Sequence, residues 1–141
     1  MRYVAKPLAA ASAAALALAG TAAAAPLTVT IDGVEDRGGT FYVSVQTEAD
    51  YMKPTGTDGT MTDAPGAGTV TYTYDVPPGD YAVTVWHDDD GNGRFDYGPD
   101  GMPADGWALS GMAATGPSFD AAKVTVGDGG ARVTVSMTYG R

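Results

Sequence analysis

From Leu27 onward the chain alternates. Leu27, Val29 and Ile31 are separated by threonines, and Phe41, Val43 and Val45 by Tyr42 and Ser44, with Gln46 following. Val70, Tyr72, Tyr74 and Val76 form a third run, and Tyr81, Val83 and Val85 a fourth. Val124 and Val126, then Val133, Val135, Met137 and Tyr139, complete the pattern. A period of two puts one face of each segment in a core and the other in water, the pattern of antiparallel strands. No stretch after the first 25 residues carries the 3.6-residue period of a helix. Asp36-Arg37-Gly38-Gly39 and Gly127-Asp128-Gly129-Gly130 have the composition of tight hairpin turns, and Pro77-Pro78-Gly79-Asp80 that of a turn between strands. At least six strands punctuated this way predict an all-β, antiparallel Greek-key β-sandwich. An outer-membrane barrel needs at least about eight strands and few charges near its lipid-facing band, so it is disfavoured. Residues 49–68 and 88–118 show little strand signal, and long connections of that kind are usually functional.

The first 24 residues read as a secretory signal peptide. Arg2 and Lys6 give the positive start, an alanine and leucine run gives the apolar middle, and Ala22 to Ala25 offer small-residue cleavage sites. Cleavage is expected after Ala23 or Ala24, because Pro26 would block a cut directly before it. An uncleaved helical anchor is the competing reading, although the apolar run is short for a membrane span. The expected product is one exported domain over residues 25–141, periplasmic or extracellular, monomeric and without a transmembrane span. Two of the 8 basic residues lie in the leader and none of the 17 acidic ones. Six basic against 17 acidic residues then leave a net charge of −11. Such a surface repels phosphate backbones, so nucleic acid is not an expected partner, whereas cations and neutral ligands are. The absence of cysteine excludes disulfides and thiolate metal sites.

One segment carries chemistry. In WHDDDGNGRFDYG, residues 86–98, three consecutive aspartates repel one another unless a cation or water compensates them. Counted from Asp88, the sequence places Asp88, Asp90, Asn92, Gly93 and Asp96 at positions one, three, five, six and nine of a calcium-binding loop. Alternate side chains of a tight turn converge on one point, as a hard cation with six to eight oxygen ligands requires. The carbonyl of Arg94 falls at position seven, and Asp89, between ligand positions, is expected to face solvent. Position twelve is Pro99 rather than glutamate, so Asp100 is expected to supply the missing oxygens if the loop bulges. Asp105, or an acid from residues 49–68, is the substitute. Calcium suits this set better than magnesium, which demands stricter octahedral geometry, and a site without its bidentate glutamate is expected to bind at about 10⁻⁴ to 10⁻³ M. The plain alternative is a solvated acidic hairpin turning at Asn92-Gly93.

No enzyme is expected. His87 is the single histidine and falls on the inward face by alternation. A hydrolase would pair it with Asp88 or Asp120 and with Ser110 or Ser118, but no nucleophile elbow surrounds either serine. Trp86 lies on the opposite face. Together with Tyr97 and Trp107 it can form an aromatic platform for a glycan or an envelope protein, unless the long loop folds back and covers it.

The runs VPPGDYAVTVWHDDDGNGRFD, GMPADGWALS and GPSFDAAKVTV, taken in that order, resemble an uncharacterised family of small exported bacterial proteins, a domain of unknown function. The resemblance extends over Leu27 to Tyr139. It implies a transthyretin-like or carboxypeptidase-regulatory-like sandwich and no particular activity. Asp90 stands where asparagine is common in that family, a change that favours cation binding.

Overall fold

The computed structural model describes residues 23–140, and the expected signal peptide lies almost wholly outside them. Eight strands form two sheets. β1 (Ala25–Val34), β4 (Gly68–Val76) and β8 (Ala131–Ser136) make one sheet, ordered β4-β1-β8. β2 (Thr40–Gln46), β3 (Asp58–Asp63), β5 (Gly79–Asp88) and β6 (Gly106–Leu109) make the other, ordered β3-β2-β5-β6, and β7 (Val124–Val126) pairs with the start of β5. A single helical turn, Phe119–Ala122, precedes β7. Among the described residues no helix is long and apolar enough to cross a membrane.

The alternating residues supply the core. Leu27, Val29 and Ile31 of β1, Phe41, Val43 and Val45 of β2, and Val83 of β5 are all but sealed from solvent. Each such side chain contributes about 1.5–3 kcal/mol on burial, which makes the contact between the sheets the main source of stability. In β1 the alternation slips. Its pairing with β4 is regular to Ile31↔Val70 and then shifts, and Gly33 takes φ 73° within the shift. This bulge returns Val34 to the core, where an unbroken count would place Gly33.

Several expectations about connectivity need correcting. Neither glycine-rich turn makes a hairpin. Residues 35–39 carry the chain from β1 to β2, and residues 127–130 carry it from β7 towards β8, each time into the other sheet. The hairpins are instead β2–β3 and β5–β6, and their second strands lie inside the two segments that showed little strand signal. β1 and β8 run parallel, from Leu27↔Ala131 to Asp32↔Ser136, so the sheets are not wholly antiparallel. After Ser136 the chain leaves β1. Thr138 exchanges two backbone hydrogen bonds with Trp107 of β6, at 2.9 and 2.7 Å, and so bridges the two sheets.

That bridge brings Tyr139 onto His87. His87 is fully buried, edge-on to Phe41 and to Tyr139. Its Nε2 lies 2.7 Å from the carbonyl of Gly38, which can only accept, so Nε2 carries the proton. Nδ1 therefore accepts from the Tyr139 hydroxyl at 2.8 Å, and that hydroxyl accepts in turn from the Glu35 amide at 3.1 Å. Every polar atom of the group is satisfied, and the network locks the 35–39 turn to the end of β5.

Candidate metal centre

β5 delivers its last residue, Asp88, to the rim of the sandwich. Gly39 lies so close that a Cβ built on it would stand 2.0 Å from the Asp88 carbonyl oxygen. Asp88 is consequently buried, and its carboxylate accepts the Asn92 amide at 3.2 Å on Oδ1 and the Gly93 amide at 2.8 Å on Oδ2. Gly93 sits at φ 74°, the left-handed conformation that its position in the turn requires. Asp90 accepts the same Asn92 amide at 3.2 Å. From across the β5–β6 hairpin comes Asp105, buried at 2% exposure, whose Oδ2 accepts the Trp86 indole N–H at 2.8 Å and the Asp96 amide at 3.1 Å. Ligand oxygens of Asp88, Asp90 and Asp105 lie within 4.8 Å of one another.

The electrostatics follow from that crowding. Burial pushes the Asp105 carboxyl above the usual aspartate range, and the negative charges of Asp96 and Asp89 add to it, against the opposing hydrogen bonds from Trp86 and the Asp96 amide. For Asp90 the Asn92 amide hydrogen bond is the largest single influence and favours the charged form. Desolvation, Asp88, Asp96 and Asp105 together outweigh it, so this carboxyl is also raised. A divalent cation relieves the same repulsion. Nearby, Arg37 is the positive group, bonded to Glu35 at 2.6 Å and to Asp89 at 3.1 Å. Asp89, expected to face solvent, is thus paired.

The remaining residues of the aspartate loop divide. Asp96 stays in the network, since its carboxylate accepts the Asn92 Nδ2 and its carbonyl accepts the Ala104 amide at 2.8 Å. Asn92 bridges carboxylates: Nδ2 donates to Asp90 and Asp96, while Oδ1 accepts the Arg94 amide at 2.9 Å. Its amide must rotate to present oxygen to an ion. Asp100 is not one of the three residues that converge, and its Oδ1 accepts the Met102 amide at 3.1 Å within a local turn. Asp105 takes the place that chain spacing gives to Asp100. The reason is register: His87 faces Gly106 across the hairpin, which sets the residue before Gly106 beside Asp88. Gly39 and Arg37, which shape and balance the rim from another turn, have no signature in the loop motif.

No serine is brought to His87. Both its ring nitrogens are engaged as described, and Ser110 Oγ donates to the Ala122 carbonyl while accepting the Val83 amide at 2.9 Å. On the outer face of the second sheet the three platform residues do come together. Trp86 faces Trp107 across β5 and β6, and both line a groove of about 640 Å³ with Phe95, Tyr97 and several methionines and prolines. The loop covers Trp86 only in part, through Phe95 at 6.2 Å between ring centroids, while Tyr42 stacks on it at 4.5 Å.

Two facing sheets joined at the rim by one acidic segment define a small, all-β, sandwich-like domain. Its lineage follows from the sequence: residues 29–134 match the family described as "uncharacterized protein conserved in bacteria (DUF2141)", and the chain belongs to that family. No curated protein and no solved structure matches it.

Proposed function

We propose that the protein is an exported, non-catalytic envelope domain of transthyretin-like, Greek-key character, in which one calcium ion pins the 88–105 segment to the sandwich. The observation that carries this reading is the convergence of Asp88, Asp90 and Asp105 from two strands and the turn between them. Two of these carboxylates are buried, and a buried charge without a compensating partner is costly. Their hydrogen bonds come from neutral N–H groups, which orient the oxygens but do not cancel three negative charges. A hard dication does, and all-oxygen donors select calcium over softer metals. Asp96, the Asn92 amide oxygen after rotation, the Arg94 carbonyl and water are the further donors.

The leader-like first 24 residues and the acidic, cysteine-free composition support export to a calcium-containing compartment. At a hundred times its dissociation constant the ion would add about 2.7 kcal/mol of stability. For a domain of this size that raises Tm by roughly 10 °C. The test is thermal unfolding in calcium and in chelator, with Asp105→Asn alongside. The variant keeps an acceptor for Trp86 and is expected to lose most of the calcium increment. Identical melting of the wild type with and without calcium overturns the reading.

A further inference from the structure

We propose that the groove on the outer face of β2, β5 and β6 is a binding site for a small, planar, positively charged aromatic molecule. This goes beyond the calcium reading and does not require it. Along β6 the inward residues are Gly106 and Ala108, so Trp107 and Leu109 face outward beside Trp86 and Thr84 of β5. The hairpin between these strands folds over the same face and sets Phe95 and Tyr97 against Trp86 as a wall of rings, with 5.2 Å between the Phe95 and Tyr97 centroids. Tyr97 is 65% exposed, and Met52, Met102 and Met112 around it are also open to solvent.

Size selects a small molecule. A volume of about 640 Å³ lies within the range of roughly 300–1,000 Å³ typical of small-ligand pockets. Its apolar lining is a small fraction of the roughly 800 Å² per partner that a stable protein interface buries. Chemistry selects against a sugar. Gln46, the central polar residue of the floor, donates to the carbonyls of Lys53 and Thr55 and accepts the Met52 amide, and the Trp86 indole N–H is held by Asp105. The floor thus has few free groups with which to bond hydroxyls. Charge selects a cation. Asp96 lies between Phe95 and Tyr97 in the chain and Asp105 bonds to Trp86, so carboxylates border the aromatic wall. The lysine of the lining, Lys53, turns its ammonium onto the Ala49 carbonyl at 2.6 Å. Ring faces beside negative charge favour a cationic ring.

The experiment titrates the protein with thioflavin T, a planar cation, and with anilinonaphthalene sulfonate, an anion of similar size, in calcium and in chelator. Cellohexaose is the neutral sugar control. Saturable thioflavin T binding is expected, at least tenfold tighter than that of the anion, and weakened at least tenfold by Trp107→Ala. Tyr97→Ala removes an exposed ring and so leaves Tm nearly unchanged, while weakening the dye about threefold, the size of one exposed cation–ring contact. If Trp107→Ala fails to fold, Tyr97→Ala decides. Absence of saturable binding, equal or tighter binding of the anion, binding of cellohexaose in place of the dye, or unchanged affinity in both folded variants overturns the proposal. A protein indifferent to calcium that still binds the dye overturns only the metal reading.

Discussion

Replacing Gly39 by alanine is expected to destabilise the protein well beyond the same change at Gly38. Both glycines have positive φ, 76° and 69°. Alanine in that conformation costs about 1–2 kcal/mol. At Gly38 nothing lies within 4 Å of the added Cβ, so that cost is the whole effect. At Gly39 the Cβ would stand 2.0 Å from the Asp88 carbonyl oxygen and 2.9 Å from the Asp89 Cα. These are backbone atoms at the end of a paired strand and cannot swing aside as a flexible side chain can. Forcing the turn and β5 apart adds an overpacking cost of about 1–3 kcal/mol, for about 2–5 kcal/mol in all. Urea unfolding followed by tryptophan fluorescence measures the difference, with an unchanged slope showing that both variants reach the same denatured state. Because the overlap falls on the backbone of Asp88, Gly39→Ala is also expected to weaken calcium binding while Gly38→Ala leaves it intact. Equal destabilisation by the two changes would refute the close approach of this turn to the rim.

Two further outcomes can be measured. Tyr139→Phe removes the hydroxyl that donates to His87 Nδ1 and accepts from the Glu35 amide. The buried ring nitrogen left without a partner should cost about 1–3 kcal/mol, and a urea midpoint equal to wild type would show that water fills the gap. For pH, Asp90 and Asp105 both have folded-state carboxyls above the aspartate reference value of 3.8. Each therefore binds its proton more tightly when folded, so without metal it costs stability at neutral pH, and that cost disappears as pH falls through the folded-state value towards 3.8. Metal-free Asp90→Asn/Asp105→Asn should accordingly melt above wild type at neutral pH, with the gap closing on acidification, whereas the calcium increment of the wild type shrinks over the same window because protons compete for the ligands. A gap independent of pH contradicts both shifts.

The strands legible in the sequence are those with one face in the core. β1, β2, β4, β5 and β8 alternate because Leu27, Phe41, Tyr74, Val83 and Val135 must be covered while their neighbours need not be. β3 escapes notice because it is an edge strand, DGTMTD, with no residue fully buried and hence no contrast between its faces. β6 is four residues long, and its outward Trp107 and Leu109 border the groove, so it too lacks a polar face. The glycine-rich turns mark where the chain bends, but turn chemistry does not specify which sheet receives the next strand. The aspartate loop is legible as far as its contacts are local: Asp88, Asp90, Asn92 and Asp96 belong to one turn. Counting onward along the chain leads to Asp100, whereas the third converging carboxylate is fixed by pairing across β5 and β6 and is Asp105. Which oxygen or nitrogen of Asn92 faces the carboxylates depends on the Arg94 amide, a partner the spacing does not reveal.

β1 lies between β4 and β8, and its parallel partner stands roughly a hundred residues further along the chain. The middle of that sheet is therefore made almost first during synthesis and covered last. Until Ala131 to Ser136 have emerged, one edge of Leu27, Val29 and Ile31 stays open, and closing so long a loop is slow. The nascent chain consequently remains extensible for most of its synthesis, a state in which it can be threaded through a translocation channel. Loss of only its last dozen residues would leave a permanently unpaired apolar edge, the kind of surface on which strands from other molecules assemble.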